Sequence, residues 1–120
     1  MTLIPLEKIK TVGLAGAGAV GYGWAALLLA RGYNVIACDP AEEAQTRLEQ
    51  AVIERWPSLR RLGVATSDNP PLERLQFTTS LAQMAKDSDL VQENAPENPV
   101  IKSAVIGEID AHLPADRLIL

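Results

Sequence analysis

Residues 11–40 read TVGLAGAGAVGYGWAALLLARGYNVIACDP, and this stretch decides the fold. Residues 11–15 form an apolar run without alternation, which predicts a strand covered on both faces, as in a parallel sheet. The segment rich in alanine and leucine after the glycine cluster predicts a helix that ends near Gly32. Residues 33–38 predict a second buried strand, which ends at Asp39. The stretch as a whole therefore predicts a strand–helix–strand unit.

The turn between the first strand and the helix is rich in glycine. It matches the pattern G-x-G-x-x-G with Gly16, Ala17, Gly18, Ala19, Val20 and Gly21. In such a turn the first glycine permits the tight bend, the second leaves room for a pyrophosphate, and the third lets the helix pack closely. The helix N-terminus then offers N–H groups and a partial positive charge to phosphates. Glycines also pack tightly at any strand-to-helix turn, so the pattern alone is weak evidence.

An acidic residue strengthens the case for a dinucleotide site. Asp39 ends the second predicted strand, 23 residues after Gly16. A carboxylate at this place accepts hydrogen bonds from the adenosine ribose and repels the extra phosphate of NADP. Alternatively, Asp39 is the N-cap of the next helix, with Pro40 at the first helical position. Because the glycines and the acidic residue occur together, the sequence predicts that the chain binds NAD.

The rest of the chain continues the alternation of helices and strands. From Ala41 the pattern predicts a long amphipathic helix, which Pro57 should kink or divide. The predicted apolar face of this helix carries Leu48, Val52, Ile53, Trp56, Leu59 and Leu62. Residues 75–78 and 90–93 predict two more strands, and residues 118–120 predict a fifth strand that is cut short.

Two polar residues indicate where later helices begin. Ser80 is predicted to cap a short helix that reaches Ala85, and Asn98 to cap a helix that runs from Pro99 to about His112. Regular alternation of strands and helices implies right-handed crossovers and a parallel sheet. The predicted fold class is α/β, with a Rossmann-type doubly wound parallel sheet that is truncated within or after the fifth strand.

The composition excludes several classes of function. The chain has 120 residues, enough for one domain, and 48% of them are hydrophobic, enough for a core. Its 15 acidic and 11 basic side chains leave a net charge of -4, which argues against nucleic acid and anionic membranes as partners. No apolar segment is long enough to predict a membrane span. Cys38 is the only cysteine, so we expect no intrachain disulfide, no metal site and a cytoplasmic location.

Several other residues have two interpretations each. Glu97 and Lys102 begin the helix after the fourth predicted strand, where they either bind the nicotinamide ribose or serve as an ordinary helix-end acid and a solvated cation. His112 is better interpreted as a solvated residue near a helix end than as a catalytic base. Trp24 and Trp56 are expected to pack between helices rather than to stack on a substrate, and Cys38 to be a small buried apolar residue.

Two segments resemble a known family. Residues 11–40 and residues 89–102, DLVQENAPENPVIK, resemble the N-terminal NAD-binding domain of 3-hydroxyacyl-CoA dehydrogenases. The resemblance implies that Ala95, Glu97 and Lys102 belong to the cofactor site and that the lysine also lies near the substrate. Where the family more often has methionine, this chain has Val20, a mild departure.

A narrower likeness joins this chain to carnitine 3-dehydrogenases and to gulonate dehydrogenases of the lambda-crystallin type. Residues 21–24, 55–59 and 91–97 carry it. These enzymes oxidise a small 3-hydroxy acid rather than an acyl-CoA. The resemblance therefore implies an oxidoreductase that converts a 3-hydroxy acid or a 3-hydroxyacyl-CoA to the 3-keto product by hydride transfer to NAD.

The resemblance also implies what lies elsewhere. Residues 1–120 would be an incomplete NAD-binding domain, and a helical C-terminal domain for substrate binding and dimerisation would be absent. The family's serine-rich turn, its catalytic histidine with a glutamate partner, and its asparagine are expected beyond Leu120. No catalytic residue is therefore assigned, and residues 1–120 alone are expected to be inactive. The intact enzyme is expected to be a homodimer.

The sequence leaves two alternative functions open. One is a non-catalytic dinucleotide-sensing module. The other is a methyltransferase that binds S-adenosylmethionine, and the three-glycine spacing argues against this second alternative.

Overall fold

The computed structural model describes residues 2–120, which form five strands and four helices. In chain order the elements are β1 (Thr11–Ala15), α1 (Ala19–Ala30), β2 (Asn34–Cys38), α2 (Ala44–Arg61), β3 (Leu75–Thr78), α3 (Leu81–Asp87), β4 (Leu90–Glu93), α4 (Pro99–His112) and β5 (Leu118–Ile119). Short 3-10 turns at Leu6–Lys8 and Leu72–Arg74 precede β1 and β3.

All five strands are parallel, and their order across the sheet is β3-β2-β1-β4-β5. This is the order of the first five strands of the doubly wound dinucleotide-binding fold. Each strand is connected to the next strand in the chain by a helix, as expected for crossovers between parallel strands. The order reverses between β1 and β4, so a crevice opens where their carboxyl ends diverge. The predicted fold class is confirmed.

The sheet is covered on both faces. On one face α1 and α2 pack over β1 and β2, and the buried residues of that core include Leu14, Leu48 and Trp56. On the other face α3 and α4 enclose Met84 and Ile109. Because successive strand residues point to opposite faces, a strand buried on both sides carries apolar residues throughout. This explains the unbroken apolar run of β1.

The helix α2 differs from its prediction in three ways. It begins at Ala44 rather than Ala41, and it continues through Pro57 to Arg61, so the predicted division at Pro57 is wrong. Proline removes only its own backbone donor here, close to the C-terminal end, and the buried Trp56 beside it holds this part of the helix on the core. Ile53 is 42% exposed, because neighbouring residues on a helix lie about 100° apart and the buried Val52 already faces the core. Leu62 is 76% exposed, because it lies at the C-cap, beyond the last residue of the helix.

The predicted starts of the two later helices are confirmed. The Ser80 hydroxyl accepts a hydrogen bond from the Gln83 N–H at 3.1 Å, and α3 extends two residues beyond the predicted end. The Asn98 side chain accepts from the N–H groups of Val100 at 3.0 Å and Ile101 at 3.2 Å, and α4 begins at the following proline. Within residues 2–120, every helix is too short or too polar to span a bilayer.

Candidate functional site

An apolar crevice lies at the carboxyl edge of the sheet, where the strand order reverses. Its volume is about 380 Å³, and Gly16 and Ala95 are among the residues that line it. Pro40, Leu81, Ile101 and Val105 line its apolar walls. The crevice is therefore formed by segments that follow β1, β2, β3 and β4, as expected for an open parallel sheet.

The glycine turn has the tight geometry that its spacing predicts. Gly16 has φ +104, in the left-handed region that side chains rarely adopt, and a Cβ there would lie 2.9 Å from the Asn94 carbonyl oxygen. A Cβ on Gly21 would lie 2.6 Å from the Gly16 carbonyl oxygen. Because both positions are too crowded for a side chain, the first and third glycines bring β1, β4 and α1 close together.

The middle glycine has a different environment. Gly18 is the N-cap of α1, and a Cβ on it would meet nothing within 4 Å. No side chain caps this helix end, its first turn carries no acidic residue, and Ala19 and Val20 are exposed. Free N–H groups, the positive end of the helix dipole and open space together suit a phosphate group. The residues present thus fit a pyrophosphate at this turn.

The carboxylate of Asp39 joins this turn to the end of β2. Its Oδ2 accepts a hydrogen bond from the Ala17 N–H at 2.9 Å, and its Oδ1 accepts from the Ala41 N–H at 2.9 Å. The alternative that Asp39 caps the next helix is wrong, because the N-cap of α2 is Glu43, with φ 61. Asp39 is half-buried at the crevice and retains lone pairs for further donors.

Lys102 lies in the first turns of α4 and is bound on several sides. Its Nζ is 2.8 Å from Glu93 Oε2 and 3.3 Å from Glu97 Oε1, and it donates to the Ala95 carbonyl oxygen at 3.3 Å. The hydrogen bond that Lys102 donates to Glu93, opposed by partial burial and supported by Glu97, raises the pKa of Lys102 above its ordinary value. The interpretation of Lys102 as an ordinary solvated cation is therefore wrong.

Sequence reasoning missed Glu93, the carboxylate at the centre of this cluster. Its side chain is only 8% exposed, its Oε2 binds Lys102, and its Oε1 accepts from the Ala95 N–H. A usable signal was present, since a charged residue ended the fourth predicted strand, at the edge where the crevice was expected. The neighbouring Asn94 has a buried Nδ2 with no partner among the described residues.

The remaining candidate residues lie outside the polar part of the site. Cys38 is buried, and burial, with Asp39 and Glu108 nearby, raises the pKa of the thiol to about 11, so the thiol is protonated at neutral pH. His112 is exposed at the end of α4. The described residues contain no group of three or more His, Cys, Asp or Glu that could hold a metal ion.

The two tryptophans behave differently. Trp56 on α2 is buried in the core, which confirms its predicted packing role. Its indole N–H donates to the Ser67 carbonyl oxygen at 2.9 Å. Trp24 on α1 is 39% exposed and belongs to neither hydrophobic core cluster of the described residues. Within residues 2–120, the predicted packing of Trp24 between helices is therefore wrong.

Fold and site together define a dinucleotide-binding domain of the Rossmann type. The model of one family, the NAD binding domain of 3-hydroxyacyl-CoA dehydrogenase, matches residues 11–120. The chain belongs to this family and is an NAD-binding domain. The resemblance seen in the sequence is confirmed.

Individual relatives support the narrower likeness as well. L-carnitine dehydrogenase from Bacillus cereus is 39% identical over 113 residues, which are 94% of this chain and 34% of that protein. L-carnitine dehydrogenase from Nocardiopsis dassonvillei is 43% identical over 108 residues, which are 90% of this chain and 32% of that protein. The chain thus spans about a third of the length of these curated relatives.

Solved structures give the same result for the fold. (S)-3-hydroxybutyryl-CoA dehydrogenase from Ralstonia eutropha superposes with a TM-score of 0.81 at 29% identity, over 93% of this chain and 40% of that one. The 3-hydroxybutyryl-CoA dehydrogenase from Escherichia coli superposes with a TM-score of 0.80, over 93% of this chain and 24% of that one. Both matches extend over nearly all of this chain.

Proposed function

We propose that NAD lies along the carboxyl edge of the sheet, with its pyrophosphate at Gly18. The adenosine ribose binds Asp39, and the nicotinamide ribose lies near Glu97 and Lys102. The observation that carries this proposal is the open, uncapped helix start at Gly18, directly beside the Asp39 carboxylate. Phosphate needs donors and space, and the ribose needs acceptors. The donors lie in the glycine turn, and the acceptor Asp39 is hydrogen-bonded to that turn from the end of β2.

The backbone between Gly16 and Gly21 does most of the phosphate binding in this proposal. Ala19 and Val20 present N–H groups of the first helical turn, which have no partner within the helix. The Ala17 N–H is already held by Asp39, so the ribose-binding carboxylate also orders the phosphate-binding turn. The absence of acidic residues in the first turn of α1 leaves the positive end of its dipole uncancelled.

The apolar part of the crevice suits the adenine ring. Pro40, Leu81, Ile101 and Val105 form walls on either side of a space that opens next to Asp39. A flat heterocycle gains from leaving water for such a slot, because apolar burial is worth roughly 25 cal/mol per Å². A larger hollow, about 600 Å³, lies beside Trp56 near the amino edge of the sheet, far from the glycine turn, and is not assigned to the cofactor.

Replacing Gly18 tests the phosphate site directly. Gly18→Ala places a methyl group in the space where the pyrophosphate should lie, and we expect NAD to bind about tenfold more weakly or worse. Calorimetric titration of the 120-residue chain with NAD measures the loss. We expect the domain to remain folded, because a Cβ at this position meets no protein atom within 4 Å.

Gly23→Ala is the matched control. Gly23 lies on the same helix, also with nothing within 4 Å of its missing Cβ, but farther from the turn. The substitution stabilises the helix by up to about 1 kcal/mol and should leave the affinity for NAD unchanged. If Gly18→Ala binds NAD as tightly as Gly23→Ala does, the pyrophosphate does not lie at Gly18.

We further propose that the protein containing this domain is an NAD-dependent dehydrogenase for a small 3-hydroxy acid of the carnitine type. The two relatives described above, which are L-carnitine dehydrogenases 39% and 43% identical to this chain, support this substrate class over an acyl-CoA. NAD, when bound, supplies the hydride acceptor. The residues of this chain bind and orient it, and the proposed catalytic residues lie outside them. A cytoplasmic homodimer is part of the same proposal, and the single unpaired cysteine suits a reducing compartment.

An assay for NADH absorbance tests this activity. With NAD and L-carnitine, we expect no turnover from residues 1–120 and turnover from a polypeptide that extends to the length of the relatives. Substrates to compare are L-carnitine, 3-hydroxybutyrate and 3-hydroxybutyryl-CoA. A preference for the CoA thioester would contradict the carnitine-type assignment, and no turnover with any of them would contradict the dehydrogenase.

A further inference from the structure

Glu93 is a buried carboxylate whose two oxygens are both occupied. One oxygen is 2.8 Å from the Lys102 ammonium, and the other accepts from the Ala95 N–H. Only 8% of its side chain is exposed. Burying a carboxylate is costly unless it is paired and hydrogen-bonded, so a fully partnered buried carboxylate holds its partners in a defined arrangement.

Glu93 and Glu97 hold Lys102 in very different ways. The Glu97 carboxylate is 92% exposed and 3.3 Å from Nζ, whereas the Glu93 contact is shorter and shielded from water. Exposed ion pairs contribute little, and charge-assisted hydrogen bonds away from water contribute more. A lysine ammonium has three donors, and here the third is directed to the Ala95 carbonyl oxygen. Of its two carboxylate partners, Lys102 can therefore replace Glu97 by a ligand with the smaller loss of free energy.

We propose that Glu93 is the positioning residue of the nicotinamide-ribose end of the cofactor site. It fixes the Lys102 ammonium and the Ala95 peptide, while Glu97 is the partner that turns toward a bound ligand. The inference rests on the proposed function for its cofactor, but the link from Glu93 to Lys102 can be tested without any ligand. It also explains why a charged residue stands at the end of β4.

Two glutamine substitutions separate the roles of the carboxylates. In Glu93→Gln we expect the pKa of Lys102 to fall toward its ordinary value and NAD to bind about tenfold more weakly. In Glu97→Gln we expect a smaller fall in this pKa, because the Glu97 contact is exposed to water. The matched control for NAD binding is Asp110→Asn, at an exposed carboxylate farther along α4, which should leave both the pKa of Lys102 and the affinity for NAD unchanged. NMR titration of isotope-labelled lysines, with Lys102→Arg to assign the signal, measures the pKa, and calorimetry measures NAD binding.

The outcomes decide the proposal whether or not NAD binds. If the pKa of Lys102 is unchanged in Glu93→Gln, or if Glu97→Gln has the larger effect, Glu93 does not position the lysine. If Glu93→Gln does not fold, Glu93→Asp keeps the charge and should retain the raised pKa, and an ordinary value there overturns the proposal. If the parent chain does not bind NAD, the cofactor site fails, while the pKa comparison still tests Glu93.

Discussion

Asp39 shows how much one side chain contributes at this site. Its carboxylate accepts from the Ala17 N–H on one side and from the Ala41 N–H on the other, at 2.9 Å in each case. The residue that was expected to bind the ribose therefore also orders the glycine turn. Both functions need a carboxylate, because only an ionised acid offers acceptors on both oxygens and repels an added phosphate.

Asp39→Asn should reduce the preference for NAD over NADP by about tenfold, because it removes the charge that repels the second phosphate. It should also cost about 1 to 2 kcal/mol of stability, since the amide turns a donor toward a backbone N–H. Titration with both cofactors and thermal unfolding measure these effects. Asp68→Asn, in an exposed ion pair with Arg60 near the amino edge, is the control and should leave the preference unchanged. An unaltered preference in Asp39→Asn would rule out its role in discrimination.

Sequence alone predicted some residues of the site better than others. The glycines and Asp39 follow a local pattern, since each stands at a fixed place in one strand–helix–strand unit. Glu93 belongs to no such pattern. Its role depends on a hydrogen bond to Lys102, which lies on the next helix, and on the burial of its own side chain, and neither property is visible in local spacing.

Among the elements, α4 links local sequence to the site most directly. Asn98 accepts from two N–H groups at its start, and the first turns then bring Ile101 to the crevice and Lys102 to the Ala95 carbonyl oxygen. The start of this helix was predicted correctly because a cap and a proline act over a few residues. By contrast, the expected division of α2 at Pro57 was wrong, because packing of the neighbouring Trp56 outweighs a local preference.

Asn98→Ala should loosen the first turn of α4, lower stability by about 1 kcal/mol, and weaken NAD binding about threefold. The reason is that the loosened turn carries Ile101 and Lys102. The control Ala111→Gly, at the exposed far end of the same helix, should lower stability by up to about 1 kcal/mol with no effect on NAD binding. Thermal unfolding and calorimetry measure both variants, and equal effects on binding would show that the N-terminal turn has no special role.

At the scale of the whole molecule, the site is assembled from segments far apart in the chain. The crevice brings together Gly16, Asp39, Leu81 and Ile101, because all five strands run in one direction and their carboxyl ends share one edge. The reversal of strand order between β1 and β4 then opens the space between the segments. A cofactor with two riboses can therefore be held by several elements at once, although each contributes only a few groups.

The sequence by itself determined the class of fold, the glycine turn, the starts of α3 and α4, and the family. These follow from steric and hydrogen-bonding preferences that act over a few residues, and from two recognisable segments. Only the tertiary structure decided that Asp39 binds the glycine turn instead of capping a helix, and that Glu93 holds Lys102. These contacts depend on which groups lose water together when distant segments pack, and the order of residues along one segment does not specify that.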